Sequence, residues 1–291
     1  MAYFSIIIPT FNRETIIISA IEGVLDQTFD NWELLIVDDG STDTTKENVE
    51  PYLKDKRINY VYQNNAGVCA ARNMGAKFAK GQYLIFLDSD DKVESCWLED
   101  FYNELKNNQI DIVYCSVKMQ NPNGTTKLIN VDNPYENGIG KGLDVAGSWA
   151  LKREIFYEVG MYDETIKFSE NNELRLRFNC RKLNIALVKK YNLIYFVSPD
   201  GGSKNYQNRI DSLLYILDKH KEYYNKNKRV KKLFLQVAAV SAARLGQSKK
   251  AHQLFGIVLS ENKREIKLWV QWLITWSNFL TNLKWSKNNS N

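Results

Sequence analysis

Histidine is almost missing from this chain of 291 residues: only His220 and His252 occur, both in the C-terminal part. This argues against a histidine-built zinc site and against a Ser-His-Asp triad. Cysteine is sparse as well. Cys69, Cys96, Cys115 and Cys180 are scattered, form no CxxC pair, and read as ordinary buried thiols of a reducing cytoplasm. No G-x-G-x-x-G follows the first apolar run and no G-x-x-x-x-G-K-[ST] occurs, which argues against a dinucleotide-binding Rossmann site and a P-loop. Met1-Ala2-Tyr3-Phe4 runs straight into apolar sequence with no charged segment or cleavage site, so no secretion signal is expected.

What is present is the composition of a globular protein, 44% hydrophobic and 25% charged, enough for one large domain or one domain with an appendage. The net charge of +5 hides an asymmetry. Residues 221–291 hold 14 Lys/Arg and 3 Asp/Glu, a net of +11, whereas residues 1–220 hold 25 and 31, a net of −6. An acidic body with a basic tail suggests that the tail meets something anionic.

The N-terminal half alternates strand and helix signals, the pattern of a parallel, doubly wound sheet. Strands are expected at Ser5–Ile8, Trp32–Val37, Arg57–Tyr62 and Tyr83–Leu87, with helical spacing through Ile17, Ile21, Val24 and Leu25 and again over Ala66–Lys80. Three of these strands end in Pro9-Thr10, Asp38-Asp39 and Asp88-Ser89-Asp90-Asp91, so their loops share one carboxyl edge, where open α/β sheets bind ligands. At the last, a buried-strand pattern stops in three carboxylates, whose mutual repulsion a divalent cation relieves. A solvated acidic turn capping the next helix is the other reading, and Asp91 is expected as an acid at that helix start.

Beyond Asp111 the pattern is less regular. Ile112–Lys118 reads as a strand, Asn121-Pro122-Asn123-Gly124 as a hairpin turn, 129–147 as a loop, Trp149–Val159 as a helix ending at Gly160, Glu170–Lys182 as a helix and Ile185–Val197 as largely strand. Helices are expected at about 209–225, 228–245 and 249–260. A last one spans roughly 263–285, with Trp269, Trp272 and Trp276 on a wide apolar face and a polar stripe opposite. The stripe interrupts every apolar run, which argues against a transmembrane span. Tryptophans beside Lys263, Arg264, Lys267, Lys284 and Lys287 suit a helix lying on an anionic membrane; packing on the protein or on a second subunit is the alternative.

Five motifs occur in order: Ser5-Ile6-Ile7-Ile8-Pro9-Thr10-Phe11-Asn12-Arg13, Gln27-Thr28-Phe29, Val37-Asp38-Asp39-Gly40-Ser41-Thr42-Asp43, Asn65-Ala66-Gly67-Val68-Cys69-Ala70-Ala71-Arg72-Asn73, and Phe86-Leu87-Asp88-Ser89-Asp90-Asp91. Together they resemble family 2 glycosyltransferases of the GT-A fold over residues 3–200. The resemblance implies an α/β GT-A domain over 1–205, with a mostly parallel Rossmann-like sheet flanked by helices, followed by a helical C-terminal region over 206–291. It also implies a nucleotide site built from Pro9, Thr10, Phe11, Arg13, Asp39, Arg72, Asp88 and Ser89. Phe11 would stack on the base, or else be a core aromatic. Asp39 would accept from a uracil imide N–H, and Arg72 would hold the nucleotide through Asp39 or the diphosphate. Asp90, with Asp88, would hold Mn²⁺ or Mg²⁺.

On the acceptor side, Gly147-Ser148-Trp149-Ala150-Leu151-Lys152-Arg153-Glu154 followed by Val159-Gly160-Met161-Tyr162-Asp163-Glu164 is similar to the family's acceptor segment, and Trp149 is expected either to stack on a sugar or to be a core residue. Ser169-Glu170-Asn171-Asn172-Glu173-Leu174 stands where the family usually carries Glu-Asp-x-x-Leu with the Asp as base. Asn171 cannot act as a base. Glu170, with Glu173 as helper, takes the role in one reading; in another the two are a first-turn capping pair, and a weakened or engineered enzyme is a third. Asp200, Ser203 or Lys204 would stand in for a histidine that relatives often place after the catalytic strands.

The expectation is an inverting, metal-dependent enzyme moving a hexosyl or N-acetylhexosaminyl group from a nucleotide-sugar, favoured as a UDP-sugar. The acceptor would be a glycan or lipid-linked hydroxyl in surface-polysaccharide synthesis. The enzyme would be cytoplasmic and peripheral at the inner membrane face through 263–285, would bind no nucleic acid, and could be a homo-oligomer. A sugar-phosphate nucleotidyltransferase would want a Gly/Arg/Lys-rich loop that Pro9–Arg13 lacks. A non-catalytic sugar-nucleotide-binding or membrane scaffold protein gains from Asn171.

Overall fold

A computed structural model of the chain describes residues 2–106, 109–131, 145–179, 181–197 and 205–261. Two compact units emerge: Met1–Glu164 with Glu170–Pro199, and Thr165–Ser169 with Asp200–Asn291.

The first unit is built on one mixed sheet. Its strands are β1 (Phe4–Thr10), β2 (Trp32–Asp38), β3 (Ile58–Tyr62), β4 (Tyr83–Phe86), β5 (Lys92–Val93), β6 (Ile112–Gln120), β7 (Thr126–Ile129), β8 (Trp149–Lys152) and β9 (Ile185–Phe196). Their order is β3-β2-β1-β4-β8-β6-β9-β5, with β7 paired to β6. The expected parallel half is present: β1 pairs with β2 and β4, and β2 with β3, all parallel. The second half is mixed. Strand β8 runs antiparallel to both β4 and β6, and β9 is parallel to β6 across a register shift at Cys115–Val117. The expected turn at Asn121–Gly124 joins β6 to β7, and the Asn121 N–H donates to the Thr125 carbonyl.

Helices cover both faces: α1 (Ile17–Leu25), α2 (Thr45–Val49), α3 (Val68–Phe78), α4 (Trp97–Leu105), α5 (Arg153–Glu158) and α6 (Glu170–Asn179). Every residue of β1 and β2 is buried, as central strands covered on both sides require. Alternate side chains part to opposite faces. Ile6, Ile8, Leu34, Ile36 and Ile85 join Ile17, Ile21 and Phe101, whereas Ile7, Leu35, Val37, Leu84 and Phe86 join Ala71, Ala76, Phe156 and Leu174. Gly75 brings α3 down onto this second face; a Cβ there would lie 2.4 Å from Ile7 Cγ2.

The segment expected as a helix from Trp149 opens instead as strand β8, and its helical part is confined to α5. Trp149-Ala150-Leu151 fills a gap between β4 and β6, so sheet pairing overrides local helical spacing.

The second unit consists of Thr165–Ser169 with α7 (Tyr206–Lys219), α8 (Lys221–Lys226), α9 (Lys228–Arg244) and α10 (Ser248–Glu261). Ile210 of α7, Ala242 of α9 and Ala251 of α10 share a core with Leu214 packed on it. Lys167 N–H donates to Ser212 Oγ at 3.0 Å, and Arg209 lies 4.8 Å above the Phe168 ring. No described helix is long and apolar enough to cross a membrane. The expected helix at 263–285 and the loop bearing Asp200, Ser203 and Lys204 lie outside the described residues, as does most of 129–147.

Candidate active site

The loops after β1 and β2 form one rim. Asn12 takes a positive φ of 50°. Its backbone N–H donates to Ser41 Oγ at 2.9 Å, and its Oδ1 accepts from Thr42 N at 2.8 Å. Asp38 accepts from Ser41 N at 2.7 Å and from the Tyr60 hydroxyl. Asp43 accepts from Thr45 and from Glu14 N, stitching the same two loops from the other side. Gly40, at φ +84°, would bring any Cβ within 2.8 Å of Asn65 N, so the turn admits only glycine. On this rim Phe11 is exposed, as base stacking needs, whereas Thr10 is buried in the strand end. Pro9 sits within β1 in register with Val37.

Asp39 is buried at the start of α3. It accepts from Gln63 Nε2 at 2.7 Å, Ala66 N at 2.8 Å and Gly67 N at 2.8 Å. A carboxylate at a helix N-terminus is favoured by the free N–H groups and the helix dipole. Three donors leave one of about four acceptor positions on this carboxylate for a base.

The acidic end of β4 is the electrostatic centre. Burial, then the neighbouring Asp88, pushes the Asp90 carboxyl up, while Arg13 on the β1 loop pulls the other way. Burial, then Asp88 and Asp90, pushes Asp91 well above the carboxylate range. Asp91 does not open a helix as expected. It is followed by β5, and its Oδ1 accepts from Phe196 N at 3.0 Å, pinning β9 to the acidic loop. Ser89 is buried between Asp88 and Asp90.

Arg72 of α3 is 2% exposed and lies between two carboxylates. Its Nη2 donates to Asp88 Oδ1 at 2.6 Å and its Nη1 to Glu170 Oε1 at 3.0 Å. Burial works against the Arg72 charge, but Asp88, Tyr162 and Glu170 outweigh it and hold the guanidinium protonated. The expected partnership of Arg72 with Asp39 is not what the structure shows, because Asp39 is taken up by the start of α3. The structure instead brings Glu170 to the acidic end of β4.

Glu173 and Trp149 are not placed in this cluster. Glu173 is 1% exposed and accepts from Arg177 Nε and Nη2 at 3.1 and 2.8 Å, an i, i+4 pair on the buried side of α6. Trp149 is 4% exposed, with its ring 5.7 Å from Phe86 and 6.2 Å from Phe178, so the core reading holds and no face is open to a sugar.

Tyr195 of the site escaped the sequence reading, and Tyr162 entered it only within the acceptor-side segment Val159–Glu164, with no role of its own. The Tyr195 phenol, on β9, is pushed up to about 12 by burial and then by Asp91, Asp88, Asp90 and Glu170, so it lies in the field of all four acids. Tyr162 lies under Arg72, 5.2 Å from ring centroid to guanidinium carbon, and donates its hydroxyl to Asn171 Oδ1 at 2.8 Å. A tyrosine within an apolar strand reads as core, and nothing local marks Tyr195.

The donor set is carboxylate oxygen, suited to a hard divalent cation. Four acids face two arginines, an excess of negative charge that such a cation would offset. Among the described residues no three His, Cys, Asp or Glu side chains form a ready-made metal cage.

Residues 5–160 match the family described as glycosyl transferase family 2. The uncharacterized glycosyltransferase EpsJ of Bacillus subtilis is 32% identical over 211 residues, covering 67% of this chain and 61% of that protein. The minor teichoic acid biosynthesis protein GgaB of the same organism is 33% identical over 217 residues, 69% of this chain but 23% of GgaB. The chain thus spans less than two thirds of either relative, 61% of EpsJ and 23% of GgaB. Staphylococcus aureus TarS 1–349, solved in complex with UDP-GlcNAc, superposes with a TM-score of 0.60 at 19% identity, over 94% of this chain and 79% of that one, a likeness of fold. With the family match extending over more than half of its length, the chain belongs to glycosyl transferase family 2.

Proposed function

We propose that this protein transfers a sugar, with inversion, from a nucleotide-sugar to a hydroxyl of a glycan or lipid-linked acceptor in surface-polysaccharide synthesis. The observation that carries this reading is the buried Arg72, which places the Glu170 carboxylate next to the acidic end of β4. A single displacement needs a proton acceptor on one side of the anomeric carbon and a stabilised leaving group on the other. Glu170 accepts the proton of the acceptor hydroxyl through Oε2, since Oε1 is held by Arg72. The freed oxygen bonds to the anomeric carbon as the bond to the diphosphate breaks, and the diphosphate leaves with the electron pair towards Arg13. Asp90 and Asp88 are the carboxylates that would hold Mn²⁺ or Mg²⁺. A cation bound there would supply Lewis-acid stabilisation of the leaving diphosphate.

A UDP-sugar donor is supported by the neighbour of like fold solved with UDP-GlcNAc, and a cell-surface polymer acceptor by the teichoic-acid relative. The basic, tryptophan-rich 263–285 segment supports peripheral placement at the cytoplasmic face of the inner membrane. A panel of UDP-, GDP- and dTDP-sugars offered to wild type, Glu170→Gln and Asp90→Asn tests the reading. Wild type should consume one of them and stop when the cation is chelated. Glu170→Gln should lose about 10²- to 10⁴-fold in transfer while still binding UDP. A wild-type protein that binds UDP but is no more active than either variant would make it a binding protein instead.

A further inference from the structure

Arg72 does more than neutralise a carboxylate. One guanidinium, buried to 2% exposure, joins Asp88 of the β4 loop to Glu170 at the start of α6, residues on opposite sides of the proposed displacement. Its own seat is built with care. The next residue, Asn73, donates Nδ2 to the Tyr162 carbonyl and accepts the Tyr162 N–H, both at 2.9 Å. Tyr162 in turn supports the guanidinium with its ring and reaches α6 through Asn171. A closed chain of hydrogen bonds thus runs from α3 through Tyr162 to α6 and back through Arg72. Arg72 Nε finds no acceptor among the described residues, so both of its strong contacts are the two carboxylates on its terminal nitrogens.

We propose that Arg72 is the positioning residue that couples the two halves of the site: it fixes Glu170 relative to Asp88, so that what binds at Asp88 is felt at Glu170. This rests on the sugar-transfer reading. A planar fork can hold two carboxylates at a set separation, which an ammonium on a flexible stem cannot. In a water-poor setting the two carboxylates compete for one cation, so drawing Asp88 towards a bound cation and diphosphate changes the grip on Glu170, and the coupling runs both ways.

Arg72→Lys keeps the charge and removes the fork. Its transfer kcat should fall about 100-fold, the cost of a misplaced catalytic group, while the donor KM stays within about 3-fold, a split that general unfolding would not give. Adding Glu170→Gln to Arg72→Lys should cost no more than Glu170→Gln alone, because both act through one carboxylate. A second measurement does not depend on Arg72→Lys folding: the Arg72 guanidinium ¹⁵N–¹H signals should move when UDP and Mg²⁺ are added to wild type, and move again in Glu170→Gln. Wild-type transfer by Arg72→Lys, losses that multiply, or guanidinium signals indifferent to nucleotide would each overturn the coupling while leaving the transfer reading standing. A wild-type protein that consumes no nucleotide-sugar would overturn the transfer reading and the coupling with it.

Discussion

Asp39 and Asp43 show how single carboxylates turn three loops into a rigid rim. Asp39 joins β2 to the start of α3 with three accepted hydrogen bonds. Replacing it with Asn puts an amide donor against N–H groups. The expected loss is about 1–3 kcal/mol of stability together with weaker UDP binding, read by urea unfolding and calorimetry on one sample. Asp43 offers a pH test. Burial is the largest single influence and raises its pKa, but the Thr45 hydroxyl, the Thr45 N–H and the Glu14 N–H together outweigh it and hold the carboxyl below the usual carboxylate value. A carboxyl depressed in the folded state adds stability that is complete above the unfolded value of about 3.9 and fades as pH drops towards the folded one. The stability difference between wild type and Asp43→Asn should therefore be constant from pH 7 to pH 5 and shrink below about pH 4; a gap unchanged at pH 3 would rule out the titration of Asp43. These acids were legible in the sequence because a polar residue closing an apolar run contradicts its surroundings. Arg72, too, could be singled out from an alanine-rich helix, but not its partners, since Asp88 and Glu170 reach it only through the fold.

At the scale of elements, the parallel strands and the carboxyl edge could be read directly, for their apolar runs and turn residues act locally. Strand β8 could not. Trp149-Ala150-Leu151-Lys152 has helical neighbours, and only the open edges of β4 and β6 make it a strand. The same dependence on distant contacts moved Trp149 from a possible sugar platform into the core and left Tyr195 unmarked on β9. The packing of α3 yields a measurable consequence. Gly75 sits where a Cβ would meet Ile7 Cγ2 at 2.4 Å and Val37 Cγ2 at 3.1 Å, both on buried β-branched side chains with little freedom to turn away. Alanine usually favours a helix over glycine by about 1 kcal/mol, yet here overpacking should dominate. We expect Gly75→Ala to lose about 1–3 kcal/mol in urea unfolding, and transfer to fall as well, because α3 carries Arg72 towards Glu170. A stabilised Gly75→Ala protein would mean that α3 can lift from β1 at little cost.

For the whole molecule, the separation of charge makes a prediction that neither unit makes alone. The net of −6 over residues 1–220 and +11 over 221–291 gives the chain an acidic end and a basic end, and an anionic surface would attract only the second. Lysine and arginine near such a surface contribute about 1 kcal/mol each, and the attraction decays over a Debye length of about 8–10 Å at ordinary salt. Charge alone would therefore give binding that added salt removes. If the tryptophans at 269, 272 and 276 enter the interface, they would add a part that salt does not remove, because burial of apolar rings does not depend on screening. The full chain should bind vesicles containing anionic lipid and not purely zwitterionic ones. Raising salt from 0.1 to 0.5 M should weaken binding strongly but leave a residue, and Trp272→Ser with Trp276→Ser should abolish that residue while leaving the low-salt attraction. If the apolar face instead joins two subunits, the same pair of substitutions would change the sedimentation mass and leave vesicle binding as it was.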